Sequence, residues 1–155
     1  MEAVALCRRS VSHDELAHAL AALGQIDRDL KNFEASRKAY EEAVALFREA
    51  GDARVLAHTV RHLGDVLQEM NELTDADDCY REALDLYRSD ESTGPLELAN
   101  AIRSVAILRD RLGEKEQASS LWAEARDLYA TAKIAAGVAE CTKRIAGENR
   151  NDLRL

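Results

Sequence analysis

Apolar residues return along this chain at alternating intervals of three and four positions. Leu56, Val60, Leu63, Leu67 and Met70 advance by four, three, four and three, which lays one apolar stripe along a helix; Cys79, Ala83 and Leu86, with Tyr80 and Tyr87 beside them, lay a second. Polar breaks at Lys31-Asn32, Asn71-Glu72 and Gly113-Glu114 separate paired stripes, and Gly51-Asp52 and Ser92-Thr93-Gly94-Pro95 separate one pair from the next. Pro95 suits the first turn of a helix, where its missing N–H leaves no bond unmade. The pattern predicts eight helices, near residues 2–9, 13–30, 33–49, 53–70, 73–89, 95–112, 115–131 and 134–148, arranged as antiparallel hairpins.

The hairpins repeat one another. Residues 2–24 match 42–64 at a shift of 40, with 11 of 23 positions identical and no gap, and residues 60–87 match 102–129 at a shift of 42 with eight identities, among them Arg61 with Arg103 and Tyr87 with Tyr129. A fixed period of this length marks a stacked array. Small residues recur at one place in the first helix of each pair (Gly24, Gly64, Ala106, Ala146) and at another in the second (Ala43, Ala83, Ala125). Ser36, Ala76 and Ala118 stand seven residues before the latter, with Tyr40, Tyr80 and Trp122 between, so that a ring follows a small side chain by one turn. The order Leu63-Gly64, Ala76, Tyr80, Ala83 resembles the tetratricopeptide repeat, in a long form whose period of 40 to 42 exceeds the family's usual 34.

That resemblance implies an all-α, right-handed superhelical stack of about three and a half hairpins, an α-solenoid forming one domain over residues 1–150. Its parts are the second helix of a partial repeat (2–9), repeats at about 13–50, 53–90 and 95–131, a final helix at 134–148, and a frayed polar tail over 149–155. It further implies that the first helix of each hairpin lines a concave groove that binds another protein or a peptide without catalysis.

Composition narrows the function. The chain has 155 residues, one Pro, 27 Ala and 20 Leu, and a net charge of −8. This acidic balance, with aromatics at 5%, offers neither a basic face nor stacking platforms for nucleic acid. No apolar run is long enough to span a bilayer, and Arg8 and Arg9 follow the first apolar stretch, the reverse of a secretory signal, so a cytoplasmic setting is expected. Cys7, Cys79 and Cys141 lack any metal-binding spacing and read as reduced structural thiols.

No phosphate loop, nucleophile elbow or catalytic carboxylate pair stands in the sequence, so no enzyme activity and no cofactor are expected. Asp75-Ala-Asp77-Asp78 begins like a calcium loop but lacks its Gly and closing Glu, and carboxylates at a helix start explain it. The face opposite the packing stripe supplies the expected partner-binding residues: His18 and Gln25 in the first repeat, His58, Arg61, His62 and Asp65 in the second, Asn100, Arg103, Ser104 and Ile107 in the third, Lys143 and Arg144 in the last. The middle of that groove reads as cationic, suited to a partner bearing acidic groups, with Ile107 or the Ala21/Ala22 depression taking an apolar side chain. Two alternatives remain: a ligand- or peptide-sensing module of a regulator, and a metal site at His18, His58 and His62. A homodimer through the face of the 2–9 helix is a further expected partner.

Overall fold

The computed structural model describes residues 12–152, with side chains to residue 147. Within them the chain is all helix: α1 (His13–Asp29), α2 (Phe33–Ala50), α3 (Ala53–Glu69), α4 (Leu73–Ser89), α5 (Pro95–Arg111), α6 (Lys115–Thr131) and α7 (Ala135–Asp152). The described residues therefore hold seven helices rather than eight. The expected helix at 2–9, the homodimer face placed on it, and Cys7 lie outside them. Helix α7 runs past the expected end at residue 148 to Asp152, so the start of the expected tail is helical; Glu148, Asn149, Arg150 and Asn151 include neither Pro nor Gly to stop it.

Local chemistry sets the helix ends. Ser12 caps α1 through a reciprocal box, its Oγ accepting from the Glu15 N–H while the Glu15 carboxylate accepts from the Ser12 N–H. Asp52 accepts from the Val55 N–H at the start of α3, and Pro95 opens α5 with the Glu97 carboxylate accepting from the Gly94 N–H at 3.0 Å. Gly51 ends α2 at φ +75°, a left-handed conformation that glycine takes without strain. The turns inside the hairpins instead place Lys31, Asn71 or Gly113 at positive φ.

Each helix packs on the next in chain order, and beyond that α3 reaches α5. This is the connectivity of a solenoid, in which every unit is held by its neighbours. The expected pairing of ring with small residue is present. An atom added as Cβ at Gly24 would lie 2.9 Å from the Tyr40 ring, and at Gly64 2.6 Å from the Tyr80 ring, so only glycine allows each helix pair to close. Ala106 is fully buried. Ala146 departs from the expected contact and is exposed, because no second hairpin helix follows α7 among the described residues to bring a ring onto it. The close approach on α7 is at Gly137, where a Cβ would meet the Tyr129 ring at 2.5 Å, a contact between successive hairpins rather than within one. No helix among the described residues is long and apolar enough to cross a membrane.

Candidate functional site

The first helices of the three hairpins bring most of the expected groove residues onto one surface, where three clefts open. The first, about 260 Å³, has Ala21, Phe47 and Val55 among its walls, with His18, Arg54, His58, Thr59 and Glu97 around them. The second, about 280 Å³, adjoins it and shares His18, Ala21, His58 and Thr59, adding Ala22, Gln25, Tyr40 and His62. The third, about 210 Å³, lies between α3 and α5 and is mainly polar, lined by Arg28, Asp65, Gln68, Glu69, Tyr80, Arg103, Ser104 and Ile107.

His18 and His58 stand between the first two clefts. The His18 ring meets Phe47 edge-on at 4.9 Å, and His58 meets His62 edge-on at 4.6 Å. Partial burial, with His62 and Arg61 adding positive field, pushes the His58 imidazole down to about 4. His62 stacks nearly parallel on Tyr40 and has its Nε2 2.9 Å from an Arg61 Nη. Because a guanidinium only donates, His62 accepts there and carries its proton on Nδ1, which points at Asp65 Oδ2 from 3.5 Å. Burial lowers the His62 pKa as well, against the pull of Asp65.

Asp65 is the hub. Its side chain is only 12% exposed and takes the Tyr80 hydroxyl at 2.8 Å, the Ser104 hydroxyl at 3.1 Å and Arg61 at 3.3 Å, with Arg28 at 3.6 Å. Burial alone would raise this carboxyl. His62, Arg61 and Arg28 together outweigh it and hold the group below the ordinary carboxylate value. The partners come from α1, α3, α4 and α5, so one carboxylate fastens three hairpins together.

The expected cationic row is present in position but balanced in charge. Arg61 is 12% exposed and committed to Asp65 and His62. Arg103 grips Glu140 through two bonds of 2.7 and 2.8 Å, and that contact, against the opposing effect of burial, keeps the Glu140 carboxyl below its usual range. Arg144 lies 3.7 Å from Asp110 and 5.2 Å from the centre of the Trp122 ring. Asn100 accepts from the Tyr129 hydroxyl at 2.7 Å, Gln25 donates to Asp29 at 2.8 Å, Ser104 is buried, and Lys143 is exposed. Asp65 lies one turn from Arg61 on the same helix, and Glu140 and Asp110 lie on the repeats next to Arg103 and Arg144, which is why a tally of basic residues on one face overstates its field. Phe47, Val55 and Thr59, which the sequence reading of the groove leaves out, also form cleft wall.

The three histidines do not converge on a metal site, and among the described residues no group of three or more His, Cys, Asp or Glu is placed to hold an ion. Cys79 and Cys141 are free, and burial pushes the Cys79 thiol up to about 12, the behaviour of a packing residue rather than a nucleophile.

These depressed pKa values give stability a definite pH dependence. An unfolded histidine titrates near pH 6.5. Because His58 and His62 resist protonation in the fold, their contribution is complete above about pH 6.5 and is lost as pH falls toward 4. Asp65, lowered in the fold, adds a loss only at still lower pH. Melting temperature is expected to fall steadily from pH 7 to 4.5, and a His58→Gln, His62→Gln double variant to flatten that slope. An unchanged slope in the variant would assign the acid sensitivity elsewhere.

The comparisons agree with this architecture. Residues 15–89 match the family model of the tetratricopeptide repeat. No curated protein matches the chain. Among solved structures, BtubC (BKLC) from P. vanneervenii superposes with a TM-score of 0.69 at 14% identity over 93% of this chain and 67% of its own. The N-terminal domain of stress-induced protein-1 (STI-1) from C. elegans gives 0.65 at 15% identity over 87% of this chain and 98% of its own. A Podospora anserina putative kinesin light chain with nearly identical TPR-like repeats gives 0.65 at 10% identity over 99% and 85%. Residues 15–89 are thus a tetratricopeptide-repeat region, and the same helical solenoid extends through the rest of the described residues.

Proposed function

We propose that this protein is a non-catalytic scaffold that holds a segment of another protein in its concave groove, with an apolar side chain of the partner entering the cleft walled by Ala21, Phe47 and Val55. Tetratricopeptide-repeat domains generally bind other proteins, and the two adjoining clefts between α1 and α3 carry the reading for this one. Their apolar walls reward burial, while His18, His58, Thr59 and Gln25 supply hydrogen-bonding groups at the rim, the usual composition of a recognition site. Acidic groups on the partner take a secondary part. At Arg61, Arg103 and Arg144 they compete with Asp65, Glu140 and Asp110, and at Arg54 with Glu97, so exposed Lys143 is their better contact. The free thiols of Cys79 and Cys141 accord with the reducing cytoplasm as the setting.

The sensing alternative has one observation in its favour. His62 borders the second cleft and also faces Asp65, whose bonds fasten three hairpins, so an occupant pressing on His62 acts on the contacts that set the curvature of the stack.

The test fills the cleft. Partners are captured on the immobilised protein from its own cells and identified by mass spectrometry, with Ala21→Trp and Arg144→Glu variants in parallel. Ala21→Trp is expected to lower recovery of the specific partner at least tenfold, about 1.4 kcal/mol, without lowering the melting temperature; Arg144→Glu is expected to change it less. Equal recovery on the wild type and Ala21→Trp would remove the groove from the binding account.

A further inference from the structure

Among the described residues, α1 is the one first helix of a complete hairpin whose packing face lies open, and the internal repeat identifies what belongs on it. Leu16, Leu23 and Ile26 are 38, 48 and 55% exposed. At the shift of 40, their counterparts on α3 are Leu56, Leu63 and Val66, at 7, 8 and 0%. The difference is the neighbour: α3 is packed against α2, the second helix of the hairpin before it, whose Ala43, Val44 and Phe47 are buried. Helix α5 repeats the arrangement, with Val105 and Leu108 buried and α4 packed against it.

The sequence that would play the part of α2 for α1 is in the chain. Glu2-Ala3-Val4-Ala5-Leu6 is identical to Glu42-Ala43-Val44-Ala45-Leu46, Arg8 matches Arg48, and Cys7 stands for Phe47. Ser12 caps α1 as Asp52 caps α3. We propose that the Leu16, Leu23 and Ile26 face of α1 seats residues 2–9 of the same chain, as α3 seats residues 42–49. This goes beyond the groove reading and does not depend on it. It does bear on that groove, because α1 carries His18 and Ala21, one wall of both apolar-sided clefts, and a covered outer face fixes where that wall stands.

The residue before each cap differs: Val11 takes the place of Gly51, which turns at φ +75°. A β-branched residue disfavours that conformation, so the test distinguishes a seat filled by the same chain from one filled by a second copy. In the full chain, Leu23→Asp, Leu6→Asp and the double variant are melted in parallel. On an open face Leu23→Asp is close to neutral. On a covered one each single change lowers the melting temperature by about 5 °C or more, and the double variant falls little further than either, because both break one contact. A short bismaleimide is applied to an Ala19→Cys protein, Ala19 being the counterpart of Thr59, which shares a cleft with Phe47. It is expected to join the Cys7 thiol to the thiol introduced at position 19 within a single chain. Additive or absent melting shifts overturn the proposal, and so does a crosslink that appears as a covalent dimer.

Discussion

Replacing Asp65 by Ala is expected to cost about 3–5 kcal/mol of stability, the usual loss when one partner of a buried ionic cluster is removed. The carboxylate accepts from Tyr80 at 2.8 Å and Ser104 at 3.1 Å and faces Arg61 and Arg28 at 3.3 and 3.6 Å. Without it, the Tyr80 and Ser104 hydroxyls keep only their longer contacts to Gln68 Oε1 at 3.1 Å and the Asn100 carbonyl at 3.3 Å, and two guanidinium groups, 12 and 27% exposed, are left facing each other. The penalty therefore reflects stranded donors and uncompensated charge more than the attraction lost. Asp65→Asn keeps the shape and one acceptor oxygen and is expected to fall between Ala and wild type. Urea unfolding followed by circular dichroism measures both. Since the partners lie in three hairpins, Asp65→Ala should also broaden the transition as the hairpins part company. A loss below about 1 kcal/mol with an unchanged slope would mean the cluster contributes little beyond the shape of its side chains.

That hub shows where sequence reading reaches its limit. Helix positions follow from apolar spacing alone, because each hairpin repeats the same stripe and the same breaks; α4 and α6 begin and end at the expected residues, and Leu30, Met70 and Leu112 close their helices as caps rather than members. The groove face follows by the same periodicity. The pairing across it does not. Arg103 finds Glu140 and Ser104 finds Asp65, positions 37 and 39 residues apart, and which side chain meets which depends on the register between neighbouring hairpins. Phe47 and Val55 escape the groove reading for a related reason. Periodicity assigns an apolar residue to the packing side of a helix, yet at the junction of α2 and α3 the same residues form the wall of an open cleft. Gly137 escapes because it stands outside the small-residue series; only the approach of the Tyr129 ring from α6 reveals its purpose.

Trp122→Ala is expected to lower stability by about 3–5 kcal/mol, and to do so unevenly along the stack. The indole is fully buried, donates its N–H to Asp110 at 2.9 Å, and lies beneath the Arg144 guanidinium, so it joins α6 to both α5 and α7. Truncation opens a cavity and also leaves Asp110 without its neutral donor. In an array held by nearest-neighbour contacts, the loss is concentrated in the units that share the damaged interface. The hairpin of α5 and α6, with α7, is therefore expected to open first, while α1 to α4 keep their packing around Tyr40 and Tyr80. Amide hydrogen exchange reads this directly: protection should drop several hundredfold or more in α5 to α7, with a smaller change in α1 and α2, which do not pack on α6. Trp122→Phe retains most of the volume and loses the N–H, and should give back more than half of the stability. A uniform loss of protection over all seven helices would show instead that the hairpins unfold as one cooperative unit, and that Asp65 couples them more tightly than neighbour-by-neighbour packing allows.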